Sequence, residues 1–379
     1  MRMSYFLGVS TLVSFVSVPA IAQQWEQARS EGHATFSYQA IDNLYLSAAP
    51  TLSTHAWHAG VHYDWMDLFE GYALALPVSF ERQQFNAESS LNHSDWQVSP
   101  AAHLFLDEAL ELTVRSTLAE RSALPGAEAN GFYQAEQRLV TRRDRNFELE
   151  LQIGRAPERH HLQILAGQDH QRQSAENMPQ LQIESRKAGL EYALRWNEQS
   201  QLLASYQVQW QQRNDVKSDL QEFGFGVASR WGQRQTFKLL AGLSRRDQQG
   251  ANDQQGHFWH LTNETELSDD WRFDLTSSRH SVISSSASAL TQLQTAYAAG
   301  VRYRLTDDHQ LSVAYQNTLM TLEGQQQQRR FQNWQLAWDW RYSTQWQLHS
   351  QWSSQQLADN LLSGLKPQQL LELGIRWSW

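Results

Sequence analysis

A strict period of two runs through most of this chain and limits what it can fold into. In the last segment Leu371, Leu373, Ile375, Trp377 and Trp379 share one face, and Glu372, Gly374, Arg376 and Ser378 the other. Earlier, Trp334, Leu336, Trp338, Trp340 and Tyr342 alternate with Gln335, Ala337, Asp339 and Arg341. The same holds for Leu190, Tyr192, Leu194 and Trp196, for Phe223, Phe225, Val227 and Trp231, and for Tyr297 through Leu305. Successive side chains of a strand point to opposite faces, so each segment predicts a strand with one apolar and one polar side.

Two architectures use such strands, a soluble sandwich and a membrane barrel. In a sandwich bulky aromatics sit singly in the core, whereas here they crowd the strand ends beside short turns. That is the interfacial girdle of a membrane barrel. The polar face is small and rich in Gln, as suits a hydrated lumen. A mean hydropathy of −0.60 excludes a bundle of membrane helices, which need about 20 consecutive apolar residues per span. The expected fold is therefore all-β, a transmembrane antiparallel β-barrel.

Composition removes further classes. The 379 residues include no cysteine, so there is no disulfide framework, thiolate metal site or lipoprotein anchor. Lys and Arg number 31 against 40 Asp and Glu, which argues against nucleic acid as a partner. The N-terminus reads as an export signal: Arg2, an apolar run from Tyr5 to Val18, then Pro19 before Ala20-Ile21-Ala22. The expected organisation is a signal peptide over 1–22, a short periplasmic lead over 23–32 and a barrel over 33–379. Without the signal the charge is −10, from 30 basic and 40 acidic residues. The expected location is the cell outer membrane, integral and surrounded by lipid.

Short polar turns fall at Met66-Asp67, Asp107-Glu108, Arg155-Pro157, Asn197-Gln199, Gly232-Gln233, Ser268-Asp270, Thr306-Asp308 and Ser343-Gln345. The later ones recur every 35 to 38 residues, one hairpin per repeat. Eight turns on the side of the termini join nine hairpins, so eighteen strands are expected, with sixteen as the alternative. The uncertain stretch is Ser122 to Asn146, which reads as a long external loop, a tall strand or an extra hairpin.

Charge on the polar face gives the candidate site. Arg195, Arg230, Glu266, Arg304, Arg341 and Arg376 each occupy the position just before a terminal girdle residue, and Arg302 and Arg272 lie nearby. Adjacent strands place these as an arc on the inner wall, the device by which anion pores bias their contents. The competing reading is wall packing, with Glu264, Glu266, Asp274 and Asp339 as ion-pair partners. The aromatic girdle is expected at Trp196, Trp231, Tyr303, Trp340, Tyr342 and Trp377. Leu373, Ile375, Trp377 and Trp379 form a candidate C-terminal signal for the barrel-assembly machinery. Gln207, Gln209 and Gln211 make a polar inner surface without an aromatic ladder for sugars. His58 and His62 lie about 13 Å apart along one strand, and His160-His161 point to opposite faces, so no metal site or cofactor is expected. No nucleophile elbow, zinc-protease motif or phosphate loop is present, and catalytic residues are not expected.

Phe36-Ser37-Tyr38 and Asp42-Asn43-Leu44-Tyr45, the hairpin segment Ala188-Gly189-Leu190-Glu191-Tyr192 and the final Leu373-Gly374-Ile375-Arg376-Trp377 carry a resemblance. The chain resembles the EpsL-type outer-membrane β-barrel porins encoded with exopolysaccharide, capsule and biofilm-matrix systems. That resemblance implies a conduit for an exported polysaccharide, working beside a polysaccharide-export lipoprotein and without catalytic residues. The arginine arc would make the polymer an anionic one. The alternatives are a general or oligosaccharide-specific diffusion porin, and a structural or enzymatic barrel with a plugged lumen.

Overall fold

The computed structural model describes residues 28–45, 52–124, 138–154, 159–176, 179–214, 216–232, 234–249, 253–284, 291–322, 327–360 and 365–379. The expected signal peptide lies outside them. In chain order the strands are β1 (Arg29–Asp42), β2 (Thr54–Phe69), β3 (Tyr72–Phe85), β4 (His93–Val98), β5 (Ala101–Asp107), β6 (Leu110–Ala123), β7 (Val140–Ile153), β8 (His160–Ser174), β9 (Leu181–Arg195) and β10 (Ser200–Arg213). They continue as β11 (Val216–Trp231), β12 (Gln235–Gln248), β13 (Gln254–Glu266), β14 (Trp271–Ile283), β15 (Thr291–Arg304), β16 (His309–Leu322), β17 (Gln328–Arg341), β18 (Trp346–Asp359) and β19 (Gln368–Ser378).

Nineteen segments make eighteen staves. β4 and β5 both stand between β3 and β6, with Ser99-Pro100 between them. Proline cannot donate to a ladder, so the stave breaks there. The carbonyl of Pro100 still accepts from Ser116 N at 2.9 Å, and Ser99 N donates to Pro77 O at 3.0 Å, so the wall stays continuous. Every neighbouring pair is antiparallel, and β1 pairs with β19 from His33–Ser378 to Asp42–Gln369, which closes the sheet. The eighteen-strand expectation holds.

Two boundaries differ from the sequence reading. β2 runs through Met66-Asp67, and the turn is Glu70-Gly71, where Gly71 has φ +83°. β1 begins at Arg29, so residues 29–32 stand in the wall instead of a lead. Around the uncertain stretch, β6 and β7 pair in unbroken register from Leu110–Ile153 to Ala123–Val140. The described parts of that stretch, 122–124 and 138–146, therefore belong to the arms of one hairpin, and residues 125–137 lie outside the described residues.

The alternation sorts side chains as expected. Outward positions such as Val61, Phe80, Phe147, Ile164, Leu190, Phe225, Leu243, Val313, Leu336 and Leu373 form an exposed apolar band. At the short-turn end aromatic rings stack across strands, Trp271 on Tyr303 at 4.3 Å and Trp346 on Trp377 at 6.2 Å, and along the last strand Trp377 leans against Trp379 at 4.9 Å. His309 stacks on Trp338 and Trp340, and Trp340 meets Tyr342 edge-on. A second rim at the long-loop end includes Phe36, Tyr38 and Trp57, and Tyr315 with Trp334.

The wall bends sharply at β11 and β12. Gly224 pairs directly with Gly242, and Gly226 stands opposite Leu240. A Cβ on Gly226 would overlap the Leu239 carbonyl, and one on Gly242 would overlap that of Phe223. Glycine in a strand interior marks such a corner because nothing larger fits. Across it, Lys238 on β12 donates to Glu191 on β9 at 2.9 and 3.2 Å. On a flat sheet those two positions would be about 20 Å apart, so the ion pair spans a fold in the wall. Phe258, Leu203, Leu240 and Ala193 pack into the inside of that fold.

Candidate functional site: the lumen

Burial of the inward side chains divides the lumen along its length. Toward the long loops they are covered. Met320, Leu322, Phe331 and Leu357 form one apolar cluster with Leu365. Ile41, Leu44, Ala56, Phe85 and Leu91 form another, joined by Leu124, Leu139 and Leu370. Buried polar groups lie at the same end of the strands: Arg329 Nε donates to Asp359 at 2.7 Å, and Arg213 donates to Ser284 O at 3.0 Å. These inward apolar residues were not singled out by sequence. At the strand tops the alternation runs into loop residues, and only the register shows that Phe331 and Leu357 face each other.

Toward the short turns the lumen opens on one side. The β6–β9 side is filled by a satisfied network in which Glu150 accepts from Arg115 at 2.7 Å, Gln152 at 2.6 Å and Gln163 at 2.8 Å. Glu148 there accepts from Lys187 at 2.6 Å. On β14–β18 and β2–β3 inward charged residues such as Arg272, Arg302, His349, His58, His62 and Glu81 keep part of their surface exposed.

All the expected pore residues stand on the inward face of their strands, and the wall brings them together as a ladder of ion pairs. Arg272 reaches Glu264 at 2.6 Å and Asp274 at 3.2 Å, and Arg302 reaches the other oxygen of Asp274 at 2.6 Å. Arg304 pairs with Asp270 at 3.1 Å and Arg341 with Asp308 at 3.5 Å, both acids lying on turns. Arg195 donates to the carbonyl of Glu198. Arg230 is exposed at the mouth, Glu266 stands opposite Arg272, and Arg376 stands between Thr35 and Gln347. Asp339 accepts from His349 at 2.8 Å and Gln347 at 2.9 Å. The arc thus exists as geometry, but its charge is largely matched by carboxylates. The turn acids were the missing signal, because which turn faces which arginine is set by cross-strand register.

A second group lines β1–β3. His58 and His62 flank Glu81, at 3.5 and 3.3 Å, and His33 stacks on His62 at 4.6 Å. Gly60 between the two histidines leaves room for the carboxylate. Among the described residues no group of three or more His, Asp or Glu has metal-binding geometry.

The girdle residues Trp196, Trp231, Tyr303, Trp340, Tyr342 and Trp377 lie on the outward side at the short-turn rim, Trp196 and Tyr342 just past the strand ends. Leu373, Ile375 and Trp377 face outward on β19, and Trp379 continues the seam by exchanging backbone bonds with Gly32 at 3.0 and 3.2 Å.

A closed wall leaves no strand edge, and an apolar band between aromatic rims suits it to lipid. Among the described residues no helix is long and apolar enough to cross a membrane. The chain is an integral outer-membrane β-barrel protein. Solved structures share this fold. The outer membrane protein OpdK from Pseudomonas aeruginosa matches at 14% identity over 93% of this chain and 99% of that chain, with a TM-score of 0.50. OccK2 (OpdF) from the same organism matches at 11% identity over 93% and 98%, with a TM-score of 0.51. OpdK solved with vanillate matches at 15% identity over 92% and 99%, with a TM-score of 0.50. No protein-family model matches the chain, and no curated protein matches it.

Proposed function

We propose that this barrel is a diffusion channel for small polar solutes across the outer membrane, in place of the polymer conduit that the sequence resemblance implies. The observation that carries this reading is the burial of Ile41, Phe85, Phe331 and Leu357 at the long-loop mouth. A polysaccharide conduit needs a continuous wide bore, and here inward side chains of the wall itself pack against one another. What remains is a vestibule lined by alternating guanidinium and carboxylate groups. Such a lining offers bidentate donors to anions and acceptors to cations or hydroxyls. It favours compact polar solutes over one sign of charge. The C-terminal Leu373, Ile375, Trp377 and Trp379 serve in this reading as the mark for the assembly machinery.

Proteoliposome swelling tests the proposal with a size series of sugars and with vanillate, chosen because a barrel of this fold has been solved with it. Monosaccharides and the small carboxylate should enter readily and trisaccharides much more slowly. Impermeability to every small solute would refute it. So would a deletion strain that loses surface polysaccharide while polymer accumulates in the periplasm, and that result would restore the export reading.

A further inference from the structure

We propose that the outer wall of β7–β9, just beyond the apolar band at the long-loop end, binds a phosphorylated glycolipid of the outer leaflet. The ligand class is a lipopolysaccharide-type lipid whose headgroup carries more than one phosphate. Outer-membrane barrels turn their longer loops outward, so this end of the wall meets the outer leaflet. The proposal depends on the membrane location and not on what the lumen conducts.

Four arginines carry it. Arg143 and Arg145 on β7, Arg172 on β8 and Arg186 on β9 all take outward positions and are exposed. The outward parity is fixed by their strand-mates: Phe147 on β7, Ile164 on β8 and Leu190 on β9 are lipid-facing. Arg143 is the direct cross-strand partner of Arg172, and Arg145 is the partner of His170. Arg186 stands opposite Gln168, one step nearer the apolar band. From strand spacings the group spans about 16 Å, a patch that one glycolipid headgroup can cover.

Like charges placed directly opposite each other on a sheet destabilise it unless something compensates. The wall supplies only part of the compensation. Arg143 pairs with Glu120 at 2.6 Å, with its side chain still 69% exposed. Glu184 sits 3.2 Å from His170, and Arg172 donates to that ring at 3.1 Å. Among the described residues Arg145 and Arg186 have no ion-pair partner. Other outward cations stand apart from one another: Arg82, Lys217 and Arg330, Arg245 paired with Asp253, and Arg279 lying over Trp259 at 5.5 Å. Guanidiniums bind phosphate oxygens bidentately, and several converging on one headgroup give strong charge-assisted bonds. Ile164, Phe147 and Leu190 directly below offer the apolar surface for acyl chains.

The test compares the full-length barrel with R143Q/R145Q/R172Q/R186Q in detergent. Retained lipid is counted by native mass spectrometry, and thermal unfolding is followed with bisphosphorylated lipid A, phosphatidylglycerol or inorganic phosphate. The wild type should retain lipid A and melt higher in its presence, with much smaller effects of the other two. Each arginine removed should weaken lipid A binding about tenfold. In lipid-free detergent the fourfold variant should be at least as stable as wild type, because a repulsive pair is gone. A control on another part of the wall, K217Q/R330Q, should bind lipid A normally. Equal lipid A retention by wild type and the fourfold variant overturns the proposal, as does equal loss by the control. Stabilisation by inorganic phosphate as large as that by lipid A overturns the glycolipid assignment. If the fourfold variant fails to fold, R143Q/R172Q decides by the same criteria.

Discussion

At Gly32 a Cβ would fall 2.6 Å from the indole nitrogen of Trp379, because that ring lies flat against the backbone of β1. The indole therefore covers the seam where the first and last strands meet. Gly32→Val should displace it and leave the closing pair held by backbone bonds alone. The expected result is a smaller fraction of compact barrel on unboiled gels and a lower melting temperature. A variant that migrates and melts as wild type would show that the ring plays no part in closure. Asp274 is the other informative single position, since one carboxylate separates two adjacent guanidiniums, Arg272 and Arg302. Asp274→Asn takes the carboxylate from Arg302 and leaves Arg272 with Glu264 alone. We expect a loss of about 1–3 kcal/mol and, in single channels under a salt gradient, a reversal potential shifted toward anions. An unchanged reversal potential would mean that this part of the ladder lies off the permeation path.

Among the strands, the β11–β12 corner makes a sharp distinction between glycines. Gly242→Ala should prevent the wall from closing, because its Cβ has nowhere to go but into the Phe223 carbonyl. Gly300→Ala on β15 should be tolerated, since the nearest atom to its Cβ is the Val313 carbonyl at 3.9 Å. Equal assembly of the two variants, measured by heat-modifiable migration, would refute the corner. The strands and their faces were legible in the sequence because a period of two needs no knowledge of neighbours: Leu371 to Trp379 declares its lipid side by itself. Turn positions were legible where polar residues cluster beyond the last girdle aromatic. The first was misplaced because Asp67 lies in the wall at the barrel mouth, where a charged residue imitates a turn. Pairing was not legible. That Arg304 meets Asp270, or Arg341 meets Asp308, follows from register between strands, which a single sequence does not encode locally. The corner was hidden for the same reason, since Gly224 and Gly242 acquire meaning only as opposite partners.

For the whole molecule, the bore is asymmetric. Its long-loop mouth is narrowed by apolar side chains and its short-turn mouth is lined by charge. Phe331→Ser with Leu357→Ser should loosen the narrowed end and raise single-channel conductance, with gel migration of the folded form unchanged. Unaltered conductance would place the resistance elsewhere. A tapered vessel rectifies current only when its broad end carries one sign of fixed charge, and here guanidiniums and carboxylates alternate there. Cations and anions entering from that side meet the same balanced wall. Under reversed voltages of equal size the wild-type barrel should therefore pass nearly equal currents, and removing one acid of the ladder should turn it into an ionic rectifier.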